Sequence, residues 1–458
     1  MIRRFVKKIF QRQSAPAPQR EPAIIPVSTH GITRDMLSRG AERVCEDLER
    51  AGYRAYVVGG AVRDLLLDRD PKDFDIATNA TPEQVRRCCR RSRIIGRRFQ
   101  IVHVMVGQEL IEVTTFRALH EDASATDEHG RVLRDNTFGS QADDAARRDF
   151  TVNALYYDPY DETIHDYHHG FADLKQRTLR MIGEPQVRYR EDPVRMLRAV
   201  RLGAKLGLNL DAATRRPIRD MADLLDNVPP ARLFDEMLKL LTCGDALACL
   251  RRLRDEGLHH GVLPLLDVIL EQPLGERFVE QALTNTDQRI REGKSISPGF
   301  LFAALLWHEV LAHWNKRKAK GEIAIPALFA AMSDVLDRQA EKLAITKRLV
   351  GDIKEIWSLQ PRFEQRSGKR PYALLGHPRF RAGYDFMLLR AQTGEIEIAL
   401  ADWWTQFIES DDAVQESLIA GAPKENAPPK KRRRRSPNRR RSQNAEGSGN
   451  ANPVGSTE

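Results

Sequence analysis

Asp73-Phe74-Asp75 sets two carboxylates two residues apart within Lys72 to Ile76, an alternating stretch that reads as a strand. Residues i and i+2 of a strand project from one face, so both acids converge while Phe74 and Ile76 turn toward a core. Hard oxygen ligands at that spacing suit Mg²⁺, which then collects phosphate oxygens from a nucleotide. Alone, an Asp-x-Asp is also what a solvated surface strand carries. The residues before it change the weighting. Gly59-Gly60 joins a short apolar run, Tyr53 to Val58, to a helical stretch, and glycines there let backbone N–H groups approach a phosphate closely. Arg63, one turn later, is placed to pair with a triphosphate, or else with its neighbour Asp64.

Three further groups follow. Glu112 shares a strand face with Thr114 and Phe116 and is a candidate third carboxylate beside Asp73 and Asp75. Arg147 and Arg148 beside Asp149 suit a site for polyphosphate and ribose, with Asn153 available for backbone or a sugar hydroxyl; a helix-entry ion-pair cluster is the plainer reading. Asp192 and Arg195 lie three apart on one face of a helix starting after Pro193. An Asp accepting from an amino group and an Arg donating to ring nitrogens can read a base edge; an ordinary i,i+3 ion pair is the alternative.

The elements that must position these groups are legible as well. A helix pattern runs from Thr33 to Ala51-Gly52, then the strand to Val58, a helix through Leu65-Leu66-Leu67, and the Asp-x-Asp strand. Thr81-Pro82-Glu83 opens another helix, with Thr as N-cap. Ile101–Val106, Gly107-Gln108 and Leu110–Phe116 read as a hairpin. Together they predict a small α+β unit with a mixed sheet. After about Leu179 the strands stop, and Glu184 to Leu206, Ala231 to Leu241, Ala246 to Leu258 and most of 278–408 show helical spacing. The expected division is a flexible basic arm (1–32), a catalytic head (33–180), a helical neck (181–245), a helical body (246–420) and a disordered basic tail (421–458).

The chain has 458 residues and a formal charge of +9. Residues 1–20 hold six basic residues and no acid, and residues 421–458 hold ten basic residues and three acids, so the stretch between is net acidic. Basic ends attract a polyanion such as nucleic acid. No run approaches ~18 apolar residues, which excludes a spanning helix, and the start lacks an apolar signal core. Five cysteines without a Cys-x-x-Cys exclude a disulfide scaffold and a zinc ribbon. A cytoplasmic protein is expected. His165-Asp166, the lone His-Asp pair, reads as structural, as do His168, His169, His259 and His260.

Five ordered motifs resemble those of the class II nucleotidyltransferases, the group containing bacterial poly(A) polymerase and the tRNA CCA-adding enzyme within the DNA polymerase beta-type superfamily. They are Tyr-Val-Val-Gly-Gly-Ala-Val-Arg-Asp (56–64), Lys-Asp-Phe-Asp-Ile-Ala-Thr (72–78), Glu-Val-Thr-Thr-Phe-Arg (112–117), Arg-Arg-Asp-Phe-Thr-Val-Asn-Ala-Leu (147–155) and Glu-Asp-Pro-Val-Arg-Met-Leu-Arg-Ala-Val-Arg (191–201), followed by Arg232–Leu238. The resemblance implies a nucleotidyltransferase head with all-α neck and body. It makes Asp73 and Asp75 the metal-binding catalytic acids, and Asp149 or Glu112 the further one. Gly59, Gly60, Arg63 and Arg147 or Arg148 would contact triphosphate and sugar, and Asp192, Arg195 and Arg198 would select the base.

The expected activity is template-independent transfer of AMP from ATP to RNA 3′ ends, with two Mg²⁺ ions to hold the clustered acids together. Expected partners are mRNA and small RNAs bound with little sequence specificity, together with proteins of RNA decay. Residues 366–391 look like a body segment of the bacterial poly(A) enzymes, and the Arg-rich tail suits the same reading. The rivals are CCA addition to tRNA and an RNA-binding protein with an inactive head.

The tail offers phosphate attraction without aromatic stacking platforms. Removing residues 421–458 is expected to raise the apparent KM for RNA at low salt and flatten its salt dependence, with turnover at saturating RNA nearly unchanged. Activity titrated against RNA at several salt concentrations reads all three, and lost turnover at saturation would place the tail at the active site.

Overall fold

The computed structural model describes residues 21–96, 100–118, 137–258, 273–341 and 343–422. The terminal basic run 423–458 and residues 1–20 lie outside them, as do His259 and His260. An eight-stranded mixed sheet is built from β1 (Ala23–Pro26), β2 (Ala55–Val58), β3 (Asp75–Thr78), β4 (Ser92–Ile95), β5 (Ile101–Val106), β6 (Glu109–Thr115), β7 (Leu155–Asp158) and β8 (Thr163–Asp166). Their order is β1-β8-β7-β2-β3-β6-β5-β4. Every neighbouring pair is antiparallel except β3 with β6. That parallel pairing needs a crossover, supplied by the Pro82–Cys88 helix and strands β4 and β5. Thr81 starts this helix with a capping box, accepting from Gln84 N at 3.4 Å while its own N–H donates to the Gln84 side chain at 2.8 Å.

The sheet has two unlike faces. Val57, Ile76, Val113 and Tyr157 enter a core with Val44 and Leu48 of the Arg39–Arg50 helix and Val85. The opposite face carries Tyr56, Val58, Ala77, Phe116 and Tyr156 in a smaller cluster. By register, Asp75 and Glu112 belong to this second face.

Several expectations need correction. The strand begins at Asp75, so Asp73 sits on the irregular approach to it. The helix after Gly59 is Gly60–Leu65 and stops short of Leu67. The arm expected over 1–32 contains β1, which pairs with β8 along Ala23–Pro26. An Ala-Ile-Ile run can extend a sheet at its edge, where Pro26 loses no needed hydrogen bond. Strands also continue past Leu179, since β9 (Thr178–Leu179) pairs in parallel with β10 (Asn209–Leu210). His165 and Asp166 are structural, as expected. His165 packs 5.0 Å from the Tyr56 ring, and Asp166 accepts from the N–H groups of His168, Gly170 and Phe171.

The rest is helical, but the run expected from Glu184 to Leu206 is two helices, Pro185–Glu191 and Val194–Leu206. Pro193 has no N–H to continue the first, and it holds Asp192 in extended backbone. A large core links Phe150 and Val152 beside the sheet to the second helix and on to Phe278, Phe302, Trp307, Trp357 and Phe386. A smaller one gathers Phe363, Phe380, Trp404 and Phe407. No described helix is long and apolar enough to cross a membrane.

Gly170 locks the short Thr151–Asn153 turn in place, because a Cβ there would stand 2.1 Å from the Thr151 carbonyl oxygen. Gly170→Ala is therefore expected to lower stability by about 1–3 kcal/mol and to reduce activity with it, since that turn carries Asn153. Thermal unfolding beside a turnover assay checks both.

Candidate active site

A cleft of about 420 Å³ opens between the sheet and the Val194–Leu206 helix. One wall is Gly59, Gly60, Arg63, Asp75, Arg148, Asp149 and Asn153, and the other is Asp192, Arg195, Arg198, Arg201, Leu202 and Lys205. Helical geometry explains the second wall from Arg195 to Lys205, since steps of three and four residues keep these side chains on one stripe; Asp192 joins it from the extended residue before Pro193.

Asp75 and Glu112 are register partners across the parallel β3–β6 pair. Burial and the Glu112 charge, with a smaller push from Asp73, raise the Asp75 carboxyl to about 6, although Arg148 opposes them. Of the three acids only Asp75 lines the cleft itself; Glu112 is partly exposed beside His103 Nε2 at 3.3 Å, and Asp73 is exposed. Among the described residues no three His, Cys, Asp or Glu side chains close into a metal cage. An open edge of hard oxygen donors still fits Mg²⁺, which keeps water and phosphate oxygens in its shell.

Gly59 stands at φ +73 and ψ −122, and a Cβ there would lie 3.2 Å from Arg148 Nη1. The backbone conformation and the guanidinium both require glycine. Arg63, expected to reach toward phosphate, is held by its neighbours. Its Nε and Nη2 donate to Asp64 Oδ1 at 2.8 and 2.6 Å, and its Nη1 donates to Asn153 Oδ1 at 2.7 Å.

Asp149 has both oxygens engaged. Oδ1 accepts from Phe150 N at 2.8 Å and Asn153 Nδ2 at 3.0 Å, and Oδ2 accepts from Arg198 Nε at 2.7 Å. Burial alone would raise this carboxyl. The Arg198 charge and the Asn153 donor outweigh it and hold the group well below the usual carboxylate range. Arg148 donates to Tyr156 Oη at 3.0 Å and to the Asn153 carbonyl at 3.2 Å. Arg147 turns elsewhere, into a hollow of about 270 Å³ with Ile101, Thr114 and Arg117. Burial and the nearby Arg117, Arg188 and Arg195 charges lower it to about 10.

Asp192 and Arg195 do not pair with each other. Asp192 Oδ2 accepts from Arg232 Nη2 at 3.0 Å, and Arg195 Nη1 donates to Glu191 Oε2 at 3.1 Å and to the Arg188 carbonyl at 2.9 Å. Sequence reasoning missed Arg201 and Lys205 as cleft residues, although their continuation of the Arg195 and Arg198 spacing was the available signal. Arg201 Nε donates to the buried Glu236 at 2.7 Å.

Comparison with known proteins agrees with this geometry. Residues 55–180 match a family described as the poly A polymerase head domain, 207–270 a probable RNA and SrmB-binding site of polymerase A, and 320–441 a polymerase A arginine-rich C-terminus. The last match contains the segment 366–391. A solved CCA-adding enzyme of Bacillus stearothermophilus in complex with CTP superposes with a TM-score of 0.53 at 27% identity, over 81% of this chain and 82% of that one. An acidic pair on the sheet facing a cationic helix, in a chain so matched, is that of a nucleotidyltransferase enzyme. Poly(A) polymerase I of Salmonella typhimurium is 44% identical over 95% of this chain and 96% of its own length. The chain belongs to the poly(A) polymerase I family. The CCA-adding enzyme of Lactobacillus helveticus, at 40% identity, aligns over 43% of this chain and 48% of its own.

Asp149→Asn removes the charge opposite Arg198 and is expected to cost about 1.5–3 kcal/mol at neutral pH. Because the folded-state pKa of Asp149 is depressed, its contribution is present above the unfolded value of ~4 and lost as pH falls toward the folded one. The stability gap between wild type and variant should therefore shrink as denaturant titrations move from pH 7 into acid.

Proposed function

We propose that the protein adds AMP from ATP to RNA 3′ ends without a template. The RNA 3′ oxygen attacks the α-phosphorus, the bond to the bridging oxygen breaks, and pyrophosphate leaves. The observation that carries the reading is Asp75, lining a cleft whose far wall is cationic, with Glu112 as its register partner on the neighbouring strand.

Asp73, Asp75 and Glu112 are the residues that would hold Mg²⁺, for which two ions are proposed. When bound, Mg²⁺ supplies acidity to the 3′-hydroxyl and neutralises triphosphate charge. Glu112 is the better third acid, because both Asp149 oxygens are already engaged by Phe150, Asn153 and Arg198. Asp149 then acts by positioning Arg198. Gly59 and Gly60 bring backbone close to the phosphates, while Arg63 and Arg148 add positive charge along that side of the cleft. Arg147, in its separate hollow, serves beside the cleft and outside it. Asp192 accepts from the adenine amino group and Arg195 donates to a ring nitrogen; Arg232 and Glu191 hold the two for that task.

The head (33–180, with β1 joined to its sheet) does the chemistry, the neck (181–245) selects the base, the body (246–420) holds RNA, and the tail (421–458) tethers it, in a cytoplasmic enzyme. The match described as a probable RNA and SrmB-binding site supports RNA as a partner and a protein-binding surface in the same region; proteins of RNA decay are the proposed partners. Polyadenylation is preferred over CCA addition because the likeness to poly(A) polymerase I spans nearly the whole chain, and the likeness to a CCA-adding enzyme less than half.

Incubation with each of the four labelled nucleoside triphosphates, on an unstructured RNA and on tRNA lacking its end, tests the reading. Long A tracts on the first RNA are expected; three-nucleotide completion of the tRNA overturns it. Asp75→Ala should leave less than about a hundredth of wild-type incorporation with circular dichroism unchanged.

A further inference from the structure

Two of the five cysteines touch each other. Cys243 lies in the loop after the Pro230–Leu241 helix, Cys249 lies in the Ala246–Asp255 helix, and their sulfurs are 3.6 Å apart. Both are free thiols; Cys249 is buried and Cys243 partly exposed. The loop between them is held on several sides. Gly244 is at φ +92, its carbonyl accepts from Arg291 at 3.2 Å, and Asp287 accepts from the N–H groups of Ala246 and Leu247 at 2.8 and 3.2 Å. Cys243 is thus kept against Cys249 by the fold. The hydrogen bond from Cys249 holds the Cys243 thiol below its ordinary value, against the opposing effect of burial, and the thiolate is the reactive form.

The pair also borders the nucleotide cleft through one residue. Arg201 lines the cleft. Its side chain is held by Glu236, on the helix that leads to Cys243, and its carbonyl lies 3.8 Å from the Cys249 thiol. Both holds on Arg201 therefore belong to elements that carry the two cysteines. A disulfide has sulfurs about 2.05 Å apart, so closing the present 3.6 Å gap turns the cysteine side chains and draws the loop and the helix toward each other. It also removes the Cys249 thiol hydrogen, for which Cys243 and the Arg201 carbonyl are the two acceptors in reach.

We propose that Cys243 and Cys249 are a reversible disulfide-forming site, closed by hydrogen peroxide, that weakens nucleotide binding through Arg201. The Cys243 thiolate attacks one peroxide oxygen; an S–O bond forms, the O–O bond breaks, and hydroxide leaves to be protonated to water. The Cys249 sulfur then attacks the Cys243 sulfur. The S–S bond forms, the S–O bond breaks, and a second water departs with the Cys249 proton. Two thiols have lost two electrons, and one peroxide has become two waters.

The two cysteines share the tryptic peptide Leu240–Arg251. Full-length protein treated with hydrogen peroxide, capped with N-ethylmaleimide and digested should yield this peptide lighter by two hydrogens and unalkylated. Dithiothreitol should restore two alkylatable thiols. The apparent KM for ATP in RNA extension should rise roughly two- to tenfold on oxidation and recover with dithiothreitol. Cys243→Ser should keep the untreated KM and show no rise. A peptide that takes two maleimides after peroxide, or one with sulfinic acid at Cys243 and an alkylated Cys249, overturns the disulfide; a disulfide with unchanged KM overturns the link to Arg201. The mass readout does not depend on polyadenylation being the activity, so failure of the site and failure of the proposed function are told apart.

Discussion

The Asp149–Arg198 ion pair joins the sheet-bearing part of the molecule to the helix that faces it. Asp149 takes Arg198 on one oxygen and Asn153 on the other, and Asn153 in turn accepts from Arg63. One chain of hydrogen bonds therefore runs from the long helix, through a carboxylate and an amide, to the arginine after the glycine turn. A buried charge is tolerated only with its partner in place, so the width of the cleft is set by a pairing that neither wall supplies alone. Arg188 reinforces the joint by donating to the carbonyls of Arg147 and Arg148 at 2.6 and 2.7 Å.

Charge is unevenly divided across this joint. Asp75 and Glu112 lie on the sheet with Arg63 and Arg148 near them, while the helix presents Arg195, Arg198, Arg201 and Lys205, and burial lowers the pKa of Lys205. Burial first and the Glu112 charge second raise the Asp75 carboxyl, and burial first and the neighbouring arginines second lower Arg147 in its hollow beside the cleft. Like charges held together by the fold store unfavourable energy that a ligand of both signs relieves. A magnesium–nucleoside triphosphate has both.

The local parts of this arrangement were legible in the sequence. The two glycines, the Thr81 cap and the β5–β6 hairpin each depend on residues close together in the chain; the Asp-x-Asp strand was read two residues too early, since β3 starts at Asp75. The pairings between distant segments were not legible. Whether Glu112 or Asp149 stands beside Asp75 turns on the β3–β6 register, which brings together residues 37 apart, and no short-range pattern states a register. Arg63 likewise reads as a phosphate ligand until Asn153, ninety positions away, is seen to hold it. β7, Leu155–Asp158, is buried along its whole length and shows no alternation, so its period was invisible. The break at Asp192-Pro193 was visible, since proline ends one helix and starts the next, but continuous apolar spacing on both sides masked it.

The order in which the parts leave the ribosome has its own consequence. The acidic edge is complete once Glu112 has emerged, whereas the cationic wall ends at Lys205, roughly ninety residues later. At ~5–20 residues per second that interval lasts about 5–20 s. During it, a nascent chain carries the acids without Arg198 to hold Asp149 and without a wall to receive triphosphate. β1 waits too, because its partner β8 lies some 140 residues downstream, and long-range pairings form late. Catalytic competence thus waits on the Val194–Leu206 helix and not on the acids, which emerge first.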